Sequence, residues 1–166
     1  MKYLYLVRHA KSSWDYPELP DFERPLNKRG KRNAPEMGIR LVSRGIKLDA
    51  VVSSPANRAL TTAKTIADQL DFPIDKIIED EAVYHATGSA LVSTIRCFSD
   101  EWKSVMLVGH NPVFTDLANY LKEADYYISN VPTCGVVAIE FATNRWQDIT
   151  KNSGRLLFFD YPKKAL

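Results

Sequence analysis

The sequence predicts an α/β fold with three layers (αβα), in which a mainly parallel central sheet carries helices on both faces. Two observations support this prediction. Over the first two thirds of the chain, short apolar runs of strand length alternate with segments in which apolar residues recur at helical spacing. The apolar runs are continuous rather than alternating, which is typical of strands buried on both faces of a parallel sheet. With 166 residues, the chain is expected to form a single domain, 1–166.

The predicted strands come in two groups. Three apolar runs stop abruptly at turn residues and are predicted to be buried parallel strands, at 3–7, 49–53 and 104–108. Two later runs are rich in Val, Ile, Leu and Phe and are joined by a polar turn, so we expect an antiparallel pair at 135–141 and 155–161.

Two of the early strands lead directly into helices. The pairs Ser54-Pro55 and Asn111-Pro112 predict helices that begin with proline at the first position, through 59–70 and 113–121. Further helices are predicted at 34–44 and 89–98. Pro35 either opens the first of these or lies inside a longer helix that begins near Asn27. The Pro-rich stretch 13–25 is the longest irregular segment, and we interpret it as a lid or rim over a site.

The composition is that of an ordinary soluble domain. A net charge of +2, spread along the chain, gives no indication of nucleic acid as a partner. The only two cysteines, Cys97 and Cys134, have no framework spacing, which favours a reducing compartment and predicts that both are buried apolar side chains. The apolar start ends at Arg8 without a cleavage signal, and no apolar run approaches the roughly 18 residues of a membrane span. We therefore expect a cytoplasmic protein that does not enter a membrane.

Histidines and arginines gather where the early strands end. Arg8 and His9 follow the first strand, Arg58 lies one turn into the helix after the second, and His110 follows the third. In open α/β sheets, ligands bind beyond the carboxyl ends of the strands, where helix N-termini also favour anions. Because arginine grips phosphate oxygens in bidentate fashion, these four side chains predict a phosphate site.

The residues at these strand ends match a known family. The segment LVRHAKS (6–12) resembles the RHG/RHA signature of the histidine phosphatase (phosphoglycerate-mutase-like) superfamily. VSSPANRALTTA (52–63) and VGHNP (108–112) resemble its second and third motifs, and FERPLNKRG (22–30) resembles the segment before its first helix. The resemblance runs from residue 3 to about residue 121, and the short chain is similar to the SixA-like phosphohistidine phosphatase branch.

The resemblance implies a two-step transfer through a phosphohistidine on neutral His9, without a metal or cofactor. Arg8, Arg58 and a protonated His110 would stabilise the charge of the transition state, with Ser12 and Asn111 as further substrate contacts. The implied substrate is a phosphohistidine-bearing protein or a small phosphorylated molecule. Oligomeric state is left open.

The general acid is where the sequence departs from the family. Phosphoester-cleaving relatives use a glutamate in the stretch that corresponds to residues 79–86, where this chain offers His85 and, one turn earlier, Glu81. Absence of a well-placed acid favours phosphoramidates, since imidazole leaves with far less help than an alkoxide. Two alternatives stay open: a small-molecule phosphomonoesterase of the same superfamily, and a phosphate- or phosphopeptide-binding module without turnover.

Three further assignments follow from residue type. A metal site built from His9, His85 and His110 lacks the HxH or HExxH spacing and the acidic ligands that such sites show. Lys11 is interpreted as solvated surface, and so is the basic cluster Lys28, Arg29, Lys31 and Arg32, although that cluster could attract an acidic partner. Trp14 is predicted to be a packing residue.

Overall fold

A computed structural model describes residues 1–165 of the chain. Its strands are β1 (Lys2–Arg8), β2 (Ala50–Ser53), β3 (Ile78–Glu79), β4 (Ser104–Gly109), β5 (Val136–Phe141) and β6 (Gly154–Asp160). Its α-helices are α1 (Lys28–Ser43), α2 (Asn57–Gln69), α3 (Glu81–Tyr84), α4 (Gly88–Arg96) and α5 (Val113–Leu121). Short 3-10 helices lie at Asp21–Glu23, Ile74–Lys76 and Trp146–Asp148.

The strands form one sheet in the order β3-β2-β4-β1-β5-β6. Neighbours among β3, β2, β4 and β1 are parallel, whereas β5 pairs antiparallel with both β1 and β6. The prediction of a mainly parallel sheet with a late antiparallel pair is confirmed. Three strands that carry the site motifs, β2, β4 and β1, are adjacent in the sheet.

Alternate side chains of each central strand enter two separate cores. In β1, Leu4 and Leu6 pack in the core that α4 and α5 cover, while Tyr5 and Val7 pack in the core that α1 and α2 cover. Burial on both faces is what makes the strand sequences continuously apolar. The structure therefore has the three layers predicted from the sequence.

The helix starts differ in detail from the prediction. Pro35 lies inside α1, which begins after Asn27, whose side chain accepts a hydrogen bond from the backbone N–H of Gly30; the longer helix is the correct alternative. Prolines at the first helical position were expected after Ser54 and Asn111, and this is wrong. Pro55 lies two residues before α2, since the Ser54 hydroxyl accepts from the Ala56 N–H and forms a tighter turn first. Pro112 is the cap residue of α5.

The two cysteines occupy different environments. Cys134 is buried as predicted, but Cys97 is exposed just after α4, because it follows the last turn of a helix whose apolar face is already covered. Within residues 1–165, none of the helices combines the length and the apolar character that crossing a membrane requires.

Candidate active site

The sheet register brings the two predicted histidines together. Arg8 at the end of β1 pairs with Gly109 at the end of β4, so the next residue of each strand, His9 and His110, lie side by side with ring centroids 5.3 Å apart. The backbone N–H of His9 donates to the carbonyl oxygen of Gly109 at 3.0 Å. A hydrogen bond from the Ala10 N–H to the Thr62 hydroxyl (2.9 Å) fixes this turn against α2, the helix that carries Arg58.

A cavity of about 200 Å³ opens between these strand ends. The predicted site residues that line it are Arg8, His9, Ser12, Arg58, His110 and Asn111. Four further residues complete the lining: Lys11, Trp14, Arg24 and Thr133. Among the residues that the structure describes, no aspartate or glutamate lines this cavity, so it is built to receive an anion.

His9 is held as a neutral imidazole with one nitrogen free. Its Nδ1 lies 2.7 Å from the carbonyl oxygen of Ala10, which can only accept, so Nδ1 carries the proton and Nε2 keeps its lone pair. Burial lowers the pKa of His9 to about 3, and the positive charges of Arg58 and Arg8 act in the same direction. A neutral Nε2 is the form that can attack phosphorus.

The protein groups around His110 also favour its neutral form. Burial lowers its pKa to about 4, and the charge of Arg58 contributes in the same direction. The negative charge of a bound phosphoryl group would raise this pKa, so protonation of His110 during the reaction stays a prediction. Its Nε2 lies 2.8 Å from the Ser54 hydroxyl, while its buried Nδ1 has no protein partner among the described residues.

Three guanidinium groups reach the cavity, each tied to the protein by part of its donor set. Arg8 donates from Nη1 to the Val131 carbonyl at 3.0 Å, and its buried Nε has no protein partner among residues 1–165. Arg24 donates to the Ser12 hydroxyl at 2.5 Å and to the Ser13 carbonyl at 3.2 Å. Because each guanidinium has five N–H donors, donors remain for phosphate oxygens.

Arg58 is oriented by Asp21 of the loop 13–25. Its Nη1 donates to the Asp21 carbonyl oxygen at 2.7 Å and its Nη2 to the Asp21 carboxylate at 2.9 Å. The Tyr84 hydroxyl donates to the same carboxylate at 2.7 Å. Although partial burial favours the neutral acid, the hydrogen bonds from Tyr84 and Arg58 hold the pKa of Asp21 well below its ordinary value. Asp21 is therefore ionised at neutral pH and cannot donate a proton to a leaving group.

Neither sequence-predicted acid lines the cavity. Glu81 is the exposed first residue of α3, and His85 is the exposed residue after that helix. The Tyr84 ring is close to both histidines, with its centroid 4.3 Å from the ring of His85 and 5.5 Å from that of His110. Of the residues in this short segment, Tyr84 is close to His110, while Glu81 and His85 are not part of the cavity lining.

The loop 13–25 was interpreted from the sequence as a lid or rim, and its residues Trp14 and Arg24 do line the cavity, but no site role was predicted for either of them or for Lys11. Lys11 is half-buried in the cavity wall rather than solvated. Trp14 is 73% exposed instead of packed in a core, and its ring stacks on Arg24 with the guanidinium carbon 3.3 Å from the ring centroid. Asn111 lines the cavity, and its side chain is also held by the protein, since Nδ2 donates to the Val131 carbonyl oxygen and Oδ1 accepts from the Thr115 N–H. The FERPL segment was the available signal for Arg24.

Metal-ligand side chains are not grouped at this site. Within the described part of the chain, no three His, Cys, Asp or Glu side chains lie close enough together to hold a metal ion.

The fold and the site define a class of phosphoryl-transfer protein, and comparisons of sequence identify its family. The profile of the histidine phosphatase superfamily (branch 1) matches residues 4–82. An uncharacterized protein of Mycobacterium tuberculosis is 30% identical over 166 residues, which cover 95% of this chain and 100% of that one. The chain belongs to the histidine phosphatase superfamily.

Comparison with solved structures places the chain in the SixA-like branch of this superfamily. The crystal structure of a protein assigned as the phosphohistidine phosphatase SixA from Agrobacterium tumefaciens is 28% identical, with a TM-score of 0.81 over 97% of this chain and 98% of that one. The protein histidine phosphatase SixA in complex with tungstate shares the fold at 19% identity, with a TM-score of 0.80 over 96% of this chain and 97% of that one.

Proposed function

We propose that this protein is a metal-independent cytoplasmic phosphatase that removes phosphoryl groups from phosphohistidine in proteins, through a covalent phosphohistidine on its own His9. One observation carries the proposal. A neutral His9, with Nε2 free, lies beside His110 and three arginines in a cavity without carboxylates among the described residues. Nucleophile and phosphate-binding groups are thus assembled in one place.

The reaction proceeds in two transfers. In the first, His9 Nε2 attacks phosphorus, the new N–P bond forms, and the bond to the substrate's imidazole breaks as that imidazole takes up a proton from solvent water. In the second, water attacks the phosphohistidine, which releases inorganic phosphate and returns His9 to the neutral form. Arg8, Arg24, Arg58 and the Nδ1 of His110 hydrogen-bond the equatorial oxygens, where charge accumulates in both steps.

The lack of a proton-donating carboxyl group among the described lining residues supports the proposed substrate class. Asp21 is ionised, and Glu81 and His85 lie outside the cavity. An alkoxide leaving group needs a proton donor, whereas imidazole leaves readily, so the site suits a phosphoramidate better than an alkyl phosphate ester. This favours phosphohistidine over the small-molecule phosphomonoester alternative.

The mechanism is tested by trapping the intermediate. After rapid quenching in alkali, wild type should carry a phosphate label that is stable in alkali and lost in acid, as a phosphohistidine is, and His9→Ala should carry none. We expect His9→Ala to abolish phosphate release and Arg58→Ala or His110→Ala to lower it by several orders of magnitude. Near-normal turnover by His9→Ala would overturn the mechanism, and loss of activity in a chelator would overturn metal independence.

The substrate is tested separately by comparing phosphohistidine with an alkyl phosphate. Wild type should hydrolyse phosphohistidine much faster, and Glu81→Gln and His85→Ala should leave that rate nearly unchanged. Equal rates on the two substrates would favour the phosphomonoesterase. Retention of labelled phosphohistidine protein without phosphate release would favour the binding module.

A further inference from the structure

A second depression, which we call the basic cleft, adjoins the active-site cavity. It has a volume of about 310 Å³ and shares Arg8, Lys11 and Thr133 with the cavity. Arg29 and Asn33 of α1 and Lys163 beyond β6 are among its other lining residues. Because the two depressions share a wall, a substrate whose phosphoryl group lies at His9 can place a neighbouring group in the cleft.

The cleft carries uncompensated positive charge. Arg8, Lys11, Arg29 and Lys163 line it, and no described aspartate or glutamate does. None of the last three forms an ion pair within residues 1–165. The nearest acids are paired with Arg40, Glu36 at 3.2 Å and Asp160 at 2.9 Å, and Glu36 also accepts a 3.5 Å hydrogen bond from the cleft residue Asn33. Cations gathered in a concave surface attract an anionic group.

The cleft is a preformed part of the fold. Arg29 and Asn33 are four residues apart on α1 and therefore share one helix face. The segment bearing Lys163 is held on the same helix by Arg40, which donates to the carbonyl oxygens of Tyr161 and Pro162, each at 3.0 Å. Little ordering is required when an anion binds.

We propose that the basic cleft binds the carboxylates of acidic side chains that flank phosphohistidine in a protein substrate, and so selects acidic substrates. The inference rests on the proposed function and names its substrate class. A protein partner fits the surroundings, since Trp14, which lines the cavity, is 73% exposed on its rim. Exposed aromatic and arginine side chains are enriched in surfaces that bind proteins.

The test uses two synthetic peptides phosphorylated on histidine, identical except that flanking aspartates in one are asparagines in the other. At low ionic strength, wild type should show a kcat/KM about tenfold higher for the aspartate peptide, the combined effect of a few exposed charge pairs. High salt should remove most of this preference. Arg29→Gln combined with Lys163→Gln should bring the ratio close to one while the asparagine peptide is hydrolysed at nearly the wild-type rate.

A matched control separates the cleft from total charge. Lys31→Gln combined with Arg32→Gln removes two exposed charges from α1, neither of which lines the cleft, so this variant should keep the wild-type preference. Equal wild-type rates on both peptides, or a preference that survives Arg29→Gln with Lys163→Gln, would overturn the cleft assignment alone. Absence of phosphate release from either peptide would instead overturn the proposed function and this inference with it.

A small-molecule arm addresses the other source of a second anion. Wild type could hydrolyse fructose 1,6-bisphosphate faster than fructose 6-phosphate, lose this preference in the cleft variants, and hydrolyse the two peptides at equal rates. That combination would show that the cleft binds small bisphosphates and that the protein-substrate assignment is wrong. A preference confined to the peptides supports the proposal.

Discussion

Two histidines are buried without charge at the centre of the site, and their protonation is linked to folding. Burial lowers the pKa of His9 to about 3 and that of His110 to about 4, against an ordinary value near 6.5 in the unfolded chain. Between those values the unfolded state binds more protons than the folded state. The free energy of unfolding therefore falls as pH falls below about 6.5, and the loss continues until the folded-state pKa is passed.

This linkage predicts a smaller pH dependence for His9→Gln. A single histidine that stays neutral when folded accounts for a loss of about 2 kcal/mol between pH 7 and pH 5. Urea unfolding at both pH values should show that the variant loses about that much less stability than wild type. Identical losses would show that His9 titrates normally, and an NMR titration of its Cε1 proton between pH 8 and pH 5 would show the same directly.

At the scale of elements, α1 is packed against the first strand-end turn through a glycine. A Cβ built on Gly30 would lie 2.2 Å from the carbonyl oxygen of Lys11, a distance that no side chain tolerates. Gly30→Ala should therefore cost about 2 kcal/mol of unfolding free energy, as overpacking does, and lower activity by displacing the cavity wall. Urea unfolding and kcat/KM measure the two effects.

Gly88→Ala is the matched control for this substitution. Gly88 is the first residue of α4, and a Cβ there would meet nothing within 4 Å. Alanine should leave stability unchanged or raise it by up to about 1 kcal/mol, since it restricts the unfolded chain. Equal effects of the two substitutions would contradict the close contact at Lys11.

The loop 13–25 is fastened at its base and near its middle. The Ser13 N–H donates to the Pro25 carbonyl at 2.8 Å, and Asp21 joins Arg58 and Tyr84. Asp21→Asn removes the charge that binds Arg58, so amide hydrogen exchange in residues 14–23 should become faster than in wild type. Asp15→Asn, an exposed substitution in the same loop, should leave exchange unchanged. Unaltered exchange in Asp21→Asn would show that the loop is held by other contacts.

The loop 13–25 shows which site residues could not be predicted from the sequence. The strands were predicted from continuous apolar runs, and Arg8, His9 and His110 were selected because they follow strand ends. Both predictions were possible because regular backbone structure and burial leave a pattern in the sequence. Residues of an irregular loop leave no such pattern, so no role was predicted for Arg24 or Asp21. The helix starts were misplaced because a proline marks a turn region without fixing how many residues the turn contains.

At the scale of the whole molecule, a net charge of +2 conceals a polarised surface. The active-site cavity and the basic cleft gather positive charge at the carboxyl ends of the parallel strands, while carboxylates such as Glu36, Glu140 and Asp160 are paired with arginines elsewhere. The net charge is a sum over the whole chain and therefore does not show where the positive and negative side chains lie. The sheet order sets β1 beside β4 and so brings these cations together at one edge of the sheet.

Convergence of charge predicts that a simple anion stabilises the folded molecule. Inorganic phosphate bound only to the folded state adds about 2.7 kcal/mol at a hundredfold excess over Kd, which for a domain of this size raises Tm by roughly 5–10 °C. Differential scanning calorimetry with increasing phosphate should show this rise in wild type and in Arg32→Ala, an exposed arginine of α1. In Arg58→Ala most of the rise should disappear, because one of the cavity's guanidinium groups is lost. A rise of equal size in Arg58→Ala would mean that phosphate stabilises the chain from some other surface, and the cavity would then not be the anion site.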